Sequence, residues 1–209
     1  MASLLKETKL FPPMYFAYVE VGLYRSAFPN ETNIAFLKTL CLHSILVLDD
    51  DCHVLEEFAS LNGINIIFVQ NINAPSQQSS SSSPNWSPIP EEMVLRSLTV
   101  LSDSNHYPLL VTCKTGRNFT GVIIGCLRKK MGWSFMSLLE EFRRFSGSRQ
   151  QQHEQFIEMF DTDLLLISTS SPPFLLRSPS AMFLSSVIPA PIGRSTPVPL
   201  SPVVIAKER

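Results

Sequence analysis

The stretch VTCKTGRNFTG, residues 111–121, is the part of the sequence that best indicates the fold. The run PLLVTC (108–113) that leads into it is short, continuous and apolar, which is typical of a strand buried in a parallel sheet. The apolar run after it predicts a helix that begins near Thr120. A strand, a tight glycine-containing loop and a helix start form a concave surface of backbone N–H groups that accepts an anion.

Outside this stretch, strand-like and helix-like segments alternate along the chain. Residues 16–27 predict a strand or hairpin, and the apolar runs at 44–49 and 64–70 predict buried strands. Apolar residues at helical spacing predict helices over 31–40, 53–63, 91–103, 120–131, 134–145 and 149–161. Such alternation predicts an α/β fold with three layers, in which helices flank a mostly parallel central sheet.

Composition shifts along the chain suggest one domain with extensions. We predict an N-terminal extension over 1–10, a domain over 11–165, and within it a flexible Ser/Pro-rich insertion, APSQQSSSSSPNWSPIP, at 74–90. Eight of the sixteen prolines lie after residue 167. Because this spacing disrupts helices and strand ladders, we predict a disordered Pro/Ser-rich tail over 166–209.

The 209 residues carry a formal net charge of −1, so the overall charge does not attract the chain to nucleic acid. No apolar run approaches the roughly 18–20 residues that span a bilayer, so no membrane span is expected. The stretch at 1–13 lacks the long apolar segment of a secretory signal. The basic run RKK (128–130) falls at the end of a predicted helix, and we interpret it as a solvent-exposed helix end.

The four cysteines are scattered and form no CxxC pair; they are Cys41, Cys52, Cys113 and Cys126. We therefore expect neither a metal site nor a disulfide framework, and the sequence indicates no cofactor. Reduced thiols fit a cytoplasmic protein, with the nucleus as the alternative location.

The loop resembles the cysteine-phosphatase signature, which is a cysteine, five residues, an arginine and then a serine or threonine. The wider chain, from Phe11 to Leu165, resembles the plant and fungal atypical dual-specificity phosphatases. Five ordered blocks carry this likeness: GLYRSAFP (22–29), NIAFLKTLCLHSIL (33–46), HYPLLVTCKTG (106–116), GCLRKKMGW (125–133) and LEEFRRFSG (139–147). Members of the family hydrolyse phosphotyrosine-type substrates and, in several cases, the pyrophosphate group of inositol pyrophosphates.

The resemblance implies roles for individual residues of the loop. Cys113 matches the nucleophile that takes the phosphoryl group, and Thr120 matches the hydroxyl that assists breakdown of the phosphocysteine intermediate. A backbone nest and a helix N-terminus would favour the thiolate form of such a cysteine. The predicted phosphate-binding residues are Lys114, Thr115, Gly116, Arg117, Asn118, Phe119 and Gly121.

The loop departs from the family pattern at four positions. Thr112 and Asn118 stand where the family has histidine, and Thr115 stands where it has arginine. The signature arginine itself is replaced by Phe119. An aromatic ring cannot reproduce the planar fork that grips two phosphate oxygens, and one positioned arginine contributes roughly 10³–10⁵ in rate to phosphoryl transfer. Arg117 is two residues away, so we do not expect it to substitute.

A general acid is also missing from its expected place. Between Val69 and Pro90 the chain has no Asp or Glu. Asp49, Asp50 and Asp51 follow a predicted core strand and are the candidates for this role. Three adjacent carboxylates would also repel a phosphate. A general acid contributes roughly 10²–10⁴, so its loss would weaken catalysis further.

The sequence therefore predicts a catalytically impaired member, a pseudophosphatase, that acts by binding a phosphorylated small molecule, a phosphoprotein or a partner. The resemblance also implies a hetero-complex with related phosphatase-like proteins. One alternative is an active cysteine-dependent phosphatase on a phosphoprotein or an inositol pyrophosphate. A second is sulfur transfer, since rhodanese-like loops also present a cysteine in a nest, but the five blocks argue against it.

Overall fold

A computed structural model of the chain describes residues 9–48, 52–69, 89–146 and 151–177. The sheet in this part has five strands: β1 (Ala17–Glu20), β2 (Leu23–Ala27), β3 (Ser44–Val47), β4 (Asn65–Phe68) and β5 (Leu109–Cys113). Their order across the sheet is β1-β2-β5-β3-β4. Only the β1–β2 hairpin is antiparallel among these pairs, which confirms the predicted, mostly parallel sheet.

Helices cover both faces of the sheet, as predicted for three layers. They are α1 (Ile34–Thr39), α2 (His53–Asn62), α3 (Glu91–Leu101), α4 (Asn118–Lys130), α5 (Phe135–Phe145), α6 (Gln151–Met159) and α7 (Pro173–Leu176). Leu46 and Val111 belong to the core that the sheet forms with α3 to α7. Their neighbours Ile45 and Leu110 belong to a second core with α1 and α2, because successive strand residues point to opposite faces.

The central strand β5 leads directly into the loop of interest. It lies between β2 and β3, all its residues are buried, and it ends at Cys113. Helix α4 begins at Asn118 and packs closely on two other helices. A Cβ on Gly121 would lie 2.9 Å from the Phe142 ring, and one on Gly125 would lie 2.7 Å from Ile157. These close approaches fix the position of α4, and with it the helix end of the loop.

The prediction that RKK (128–130) is a solvent-exposed helix end is wrong. Arg128 is buried, and its Nε and Nη2 donate to Glu141 and to the Val19 carbonyl, both at 2.8 Å. Lys130 is buried too, and its Nζ donates to the carbonyl of Thr162 at 2.9 Å. These long side chains turn back along the protein because carboxylates and carbonyls there satisfy their charge.

The predicted domain end at residue 165 is also wrong. The described fold continues to residue 177, and Leu175 of α7 is fully buried in the main core. The proline argument fails here because Pro172 and Pro173 stand at the start of the helix, where a missing N–H is tolerated. At the end of the predicted insertion, Ile89 is buried. Residues 74–88 of the insertion, the tail beyond 177 and residues 1–8 lie outside the described residues.

Candidate functional site

The site is centred on Cys113, the last residue of β5. It pairs with Ala27 at the end of the parallel strand β2, and its carbonyl accepts a hydrogen bond from the Phe28 N–H at 3.0 Å. Ligand sites of α/β sheets lie at this carboxyl edge of the strands. The Cys113 side chain is almost completely buried.

The loop turns at Gly116, which adopts a left-handed φ of +65°. Its N–H donates to the Cys113 carbonyl at 3.1 Å, closing a tight turn. A Cβ at Gly116 would lie 2.4 Å from the backbone nitrogen of Ala27. Only glycine allows both this backbone conformation and this approach to β2.

Thr120 connects the first turn of α4 to the thiol. Its hydroxyl is buried and donates to Cys113 Sγ at 3.1 Å. The first N–H groups of a helix have no partner within the helix and carry the positive end of its dipole. Cys113 therefore lies where a hydroxyl donor and a helix N-terminus both stabilise negative charge.

Thr112 connects the base of the loop to the neighbouring strand. The buried hydroxyl donates to the Ser26 carbonyl on β2 at 3.1 Å. The resemblance implies a histidine at this position. In this chain the threonine instead ties β5 to β2 immediately before the cysteine.

Phe119, at the position of the signature arginine, lies in the first turn of α4. Its ring is half-buried and packs against the main hydrophobic core. Three predicted phosphate-binding residues, Lys114, Thr115 and Asn118, are exposed. Residue 119 thus contributes packing instead of a charged fork.

Arg117 is held by an aromatic side chain from the N-terminal part of the domain. It donates a hydrogen bond to the Tyr15 hydroxyl, and its guanidinium carbon lies 4.7 Å from the centre of the Tyr15 ring. A cation over an aromatic face is a favourable contact. Tyr15 is therefore a further side chain beside the loop that the sequence analysis did not identify.

Arg25, inside β2, is the most important residue that the sequence analysis missed. It is fully buried, its Nη2 donates to the Gly116 carbonyl at 3.0 Å, and its guanidinium carbon lies 3.9 Å from the centre of the Phe145 ring. Burial lowers the pKa of Arg25 to about 10, although the charges of Glu141 and Cys113 oppose this shift. The available signal was an arginine inside a strand otherwise occupied by residues that suit a core.

The candidate general acids Asp49, Asp50 and Asp51 lie outside the described residues, so their role stays a prediction.

Across the described ranges, no group of three or more His, Cys, Asp or Glu side chains is placed to hold a metal ion. The helices described here are all too short or too polar to cross a membrane.

Residues 10–177 match the model of a tyrosine phosphatase family. The chain is 39% identical over 170 residues to the probable tyrosine-protein phosphatase DG1060 of Dictyostelium discoideum, covering 80% of this chain and 97% of that protein. It is also 39% identical over 154 residues to the inositol diphosphatase DSP3 of Arabidopsis thaliana, covering 73% of this chain and 72% of that protein.

Solved structures share the fold. The core catalytic domain of the PP-IP phosphatase SIW14 from S. cerevisiae, in complex with citrate, superposes with a TM-score of 0.65 at 33% identity, covering 74% of this chain and 90% of that one. P. aeruginosa TpbA in complex with pTyr gives a TM-score of 0.56 at 20% identity, over 74% of this chain and 90% of that one, and shows the fold alone.

Proposed function

The chain belongs to the tyrosine phosphatase family, and we propose that it binds a phosphorylated ligand in the loop 113–121 without efficient turnover. The observation that carries this proposal is the contrast between two parts of the loop. Cys113, Gly116 and Thr120 keep a compact arrangement at a helix N-terminus. Phe119, at the signature position, is engaged in core packing.

The expected loss of catalytic rate supports a binding function over a catalytic one. A positioned arginine contributes roughly 10³–10⁵ in rate because it stabilises charge that develops on the transferred phosphoryl group. Backbone N–H groups and a helix N-terminus attract an anion in its ground state as well. Loss of the arginine therefore reduces turnover more than it reduces binding.

The ligand class we propose is a phosphoprotein or an inositol pyrophosphate. Relatives named as an inositol diphosphatase and as a PP-IP phosphatase support the second. Lys114 and Arg117 add positive charge to the rim of the loop, which suits a ligand with several phosphate groups.

An active cysteine-dependent phosphatase is the second candidate, favoured by the hydrogen bond from Thr120 to Cys113. In that reaction the Cys113 thiolate attacks phosphorus, the bond to the leaving oxygen breaks, and a general acid among Asp49, Asp50 and Asp51 protonates that oxygen. Water then attacks the phosphocysteine with Thr120 assisting, and the carboxylate that acted as general acid takes a proton from that water. The P–S bond breaks to release inorganic phosphate and the thiolate.

The test compares wild type, Cys113→Ser and Phe119→Arg on an aryl phosphate and on an inositol pyrophosphate, with phosphate binding measured by calorimetry. We expect wild type to bind phosphate but to turn over no faster than Cys113→Ser. Phe119→Arg should gain cysteine-dependent turnover of about 100-fold or more, because it restores the guanidinium. Wild-type turnover of roughly 1–10³ s⁻¹ that needs Cys113 would instead establish the active phosphatase.

We also propose that the chain works in a hetero-complex with a related phosphatase-like protein. This idea rests on the family resemblance. Affinity purification of the full-length protein from cells should recover such a relative, and its consistent absence would count against the complex. The cytoplasmic location, with the nucleus as alternative, stays a prediction that fractionation would test.

A further inference from the structure

Arg25 carries a buried positive charge that no contacting carboxylate neutralises within the described part of the chain. It is 1% exposed, and its Nε and Nη1 are buried without a hydrogen-bond partner among the described residues. Its only hydrogen bond there goes from Nη2 to the Gly116 carbonyl. An uncompensated buried charge is costly, so this arrangement calls for an anion from outside the chain.

A second buried arginine in the same core, Arg128, has its charge compensated by carboxylates. Arg128 contacts the carboxylates of Glu20 and Glu141 and donates to the Val19 carbonyl. Glu141 acts on Arg25 only as a more distant charge. The two guanidinium groups therefore differ in function: Arg128 joins β1, α4 and α5, whereas Arg25 keeps free hydrogen-bonding capacity.

The unused hydrogen-bond donors of Arg25 lie close to the loop. Arg25 precedes Ala27 by two residues, and Ala27 pairs with Cys113, so Arg25 and Cys113 lie on the same face of the sheet. A Cβ placed on Gly121 would lie 3.8 Å from Arg25 Nη2. The guanidinium thus lies between the sheet, the turn at Gly116 and the first turns of α4.

The hydrogen bond to Gly116 also orients the loop backbone. In a trans peptide the C=O and the following N–H point in opposite directions. Because the Gly116 carbonyl points to Arg25, the Arg117 N–H points away from it, towards the hydroxyl of the exposed Thr115 at 3.4 Å. That long hydrogen bond is one that an incoming anion can replace.

We propose that Arg25 is a positioning residue for the anion bound by this loop: it holds the Gly116–Arg117 peptide in place and supplies buried positive charge that residue 119 no longer provides. The inference rests on the proposed phosphate-binding function of the loop. Charge acts over longer distances inside a protein than in water, so direct contact with the anion is not required.

The experiment measures binding of inorganic phosphate to the full-length protein by calorimetry, for wild type, Arg25→Met and Arg25→Lys. We expect Arg25→Met to weaken binding about tenfold or more, the scale of one lost interaction with a charged group. Its midpoint of unfolding in urea should stay the same or rise, because an apolar side chain relieves an uncompensated buried charge. Arg25→Lys should recover part of the affinity, since it keeps the charge without the fork.

The matched control is Arg128→Lys, which alters another buried guanidinium away from the loop and should leave phosphate affinity unchanged. If Arg25→Met lowers the midpoint of unfolding, and Arg25→Lys restores neither that midpoint nor the phosphate affinity, Arg25 is a structural residue and the inference fails. Unchanged phosphate affinity in Arg25→Met would also overturn it, while leaving the proposed function intact.

The same substitutions are repeated in the Phe119→Arg background, so that the two proposals can be separated. If wild type binds no phosphate but Phe119→Arg does, and Arg25→Met weakens that binding, the proposed function fails, and with it the claim that Arg25 compensates for the lost arginine at 119. The positioning of the loop by Arg25 is retained in that case. Phosphate binding by neither protein would overturn both.

Discussion

The hydroxyl of Thr120 donates a hydrogen bond to Cys113 Sγ across the whole length of the loop, at 3.1 Å. The loop therefore closes on itself at its two ends, with the thiol inside. This contact joins the end of a central strand to the first turn of the following helix. It places a donor beside the atom on which negative charge would lie.

Replacing Thr120 tests this contact. Thr120→Val removes the donor while keeping the shape, and should slow alkylation of Cys113 about tenfold, because the thiolate, which is the reacting form of a cysteine, loses a hydrogen-bond donor. Thr120→Ser keeps the hydroxyl and should alkylate at nearly the wild-type rate. Mass spectrometry of the peptide that contains Cys113 distinguishes it from the other three cysteines. Equal rates in both variants would show that the hydroxyl has no effect on the thiol.

Gly116 provides a second test, because its close approach to Ala27 can be separated from its backbone conformation. Gly63 has nearly the same φ, +66°, but a Cβ there would meet nothing within 4 Å. Gly63→Ala should cost ~1 kcal/mol of unfolding free energy from the left-handed conformation alone. Gly116→Ala should cost clearly more and should weaken phosphate binding. Similar losses in urea unfolding would mean that the contact with Ala27 relaxes freely.

The extension of the fold beyond residue 165 predicts a difference between adjacent leucines. Leu175 is fully buried, whereas Leu176 is 42% exposed. Leu175→Ala should lower the unfolding free energy by about 2–5 kcal/mol through a lost core contact and a cavity. Leu176→Ala should change it by less than about 1 kcal/mol. A small effect of Leu175→Ala in urea unfolding would place α7 outside the stable core.

The ion pair between α5 and α6 predicts a dependence of stability on acid pH. The hydrogen bond from Arg143 lowers the pKa of Glu154 below its ordinary value of 4.5. A carboxyl with a lowered pKa stabilises the fold above 4.5, and this contribution is lost as the pH falls through the native pKa. Glu154→Gln should therefore reduce stability at pH 7 and flatten its decline in acid. Urea unfolding of both proteins between pH 7 and about pH 3 would measure this difference.

Local sequence patterns correctly predicted the strands and helices around the loop. The strand ending at Cys113, the helix after it and the mostly parallel sheet follow from apolar runs of strand length and helical spacing. The helix start differs by two residues, since α4 begins at Asn118 and not at Thr120. Helix ends depend on the fit of the first turn to its surroundings, which periodicity does not encode.

Contacts between residues far apart in the chain determine features of the site and the core that periodicity cannot predict. Arg25 and Gly116 are 91 positions apart in the chain, yet they share a hydrogen bond. Sequence patterns could show that the loop has the composition of an anion nest and that Phe119 replaces an arginine, because those are properties of neighbouring residues. That a buried guanidinium lies against this loop, and that Leu175 completes the core, depends on which surfaces the folded chain brings together, since burial and charge compensation are properties of the packed molecule.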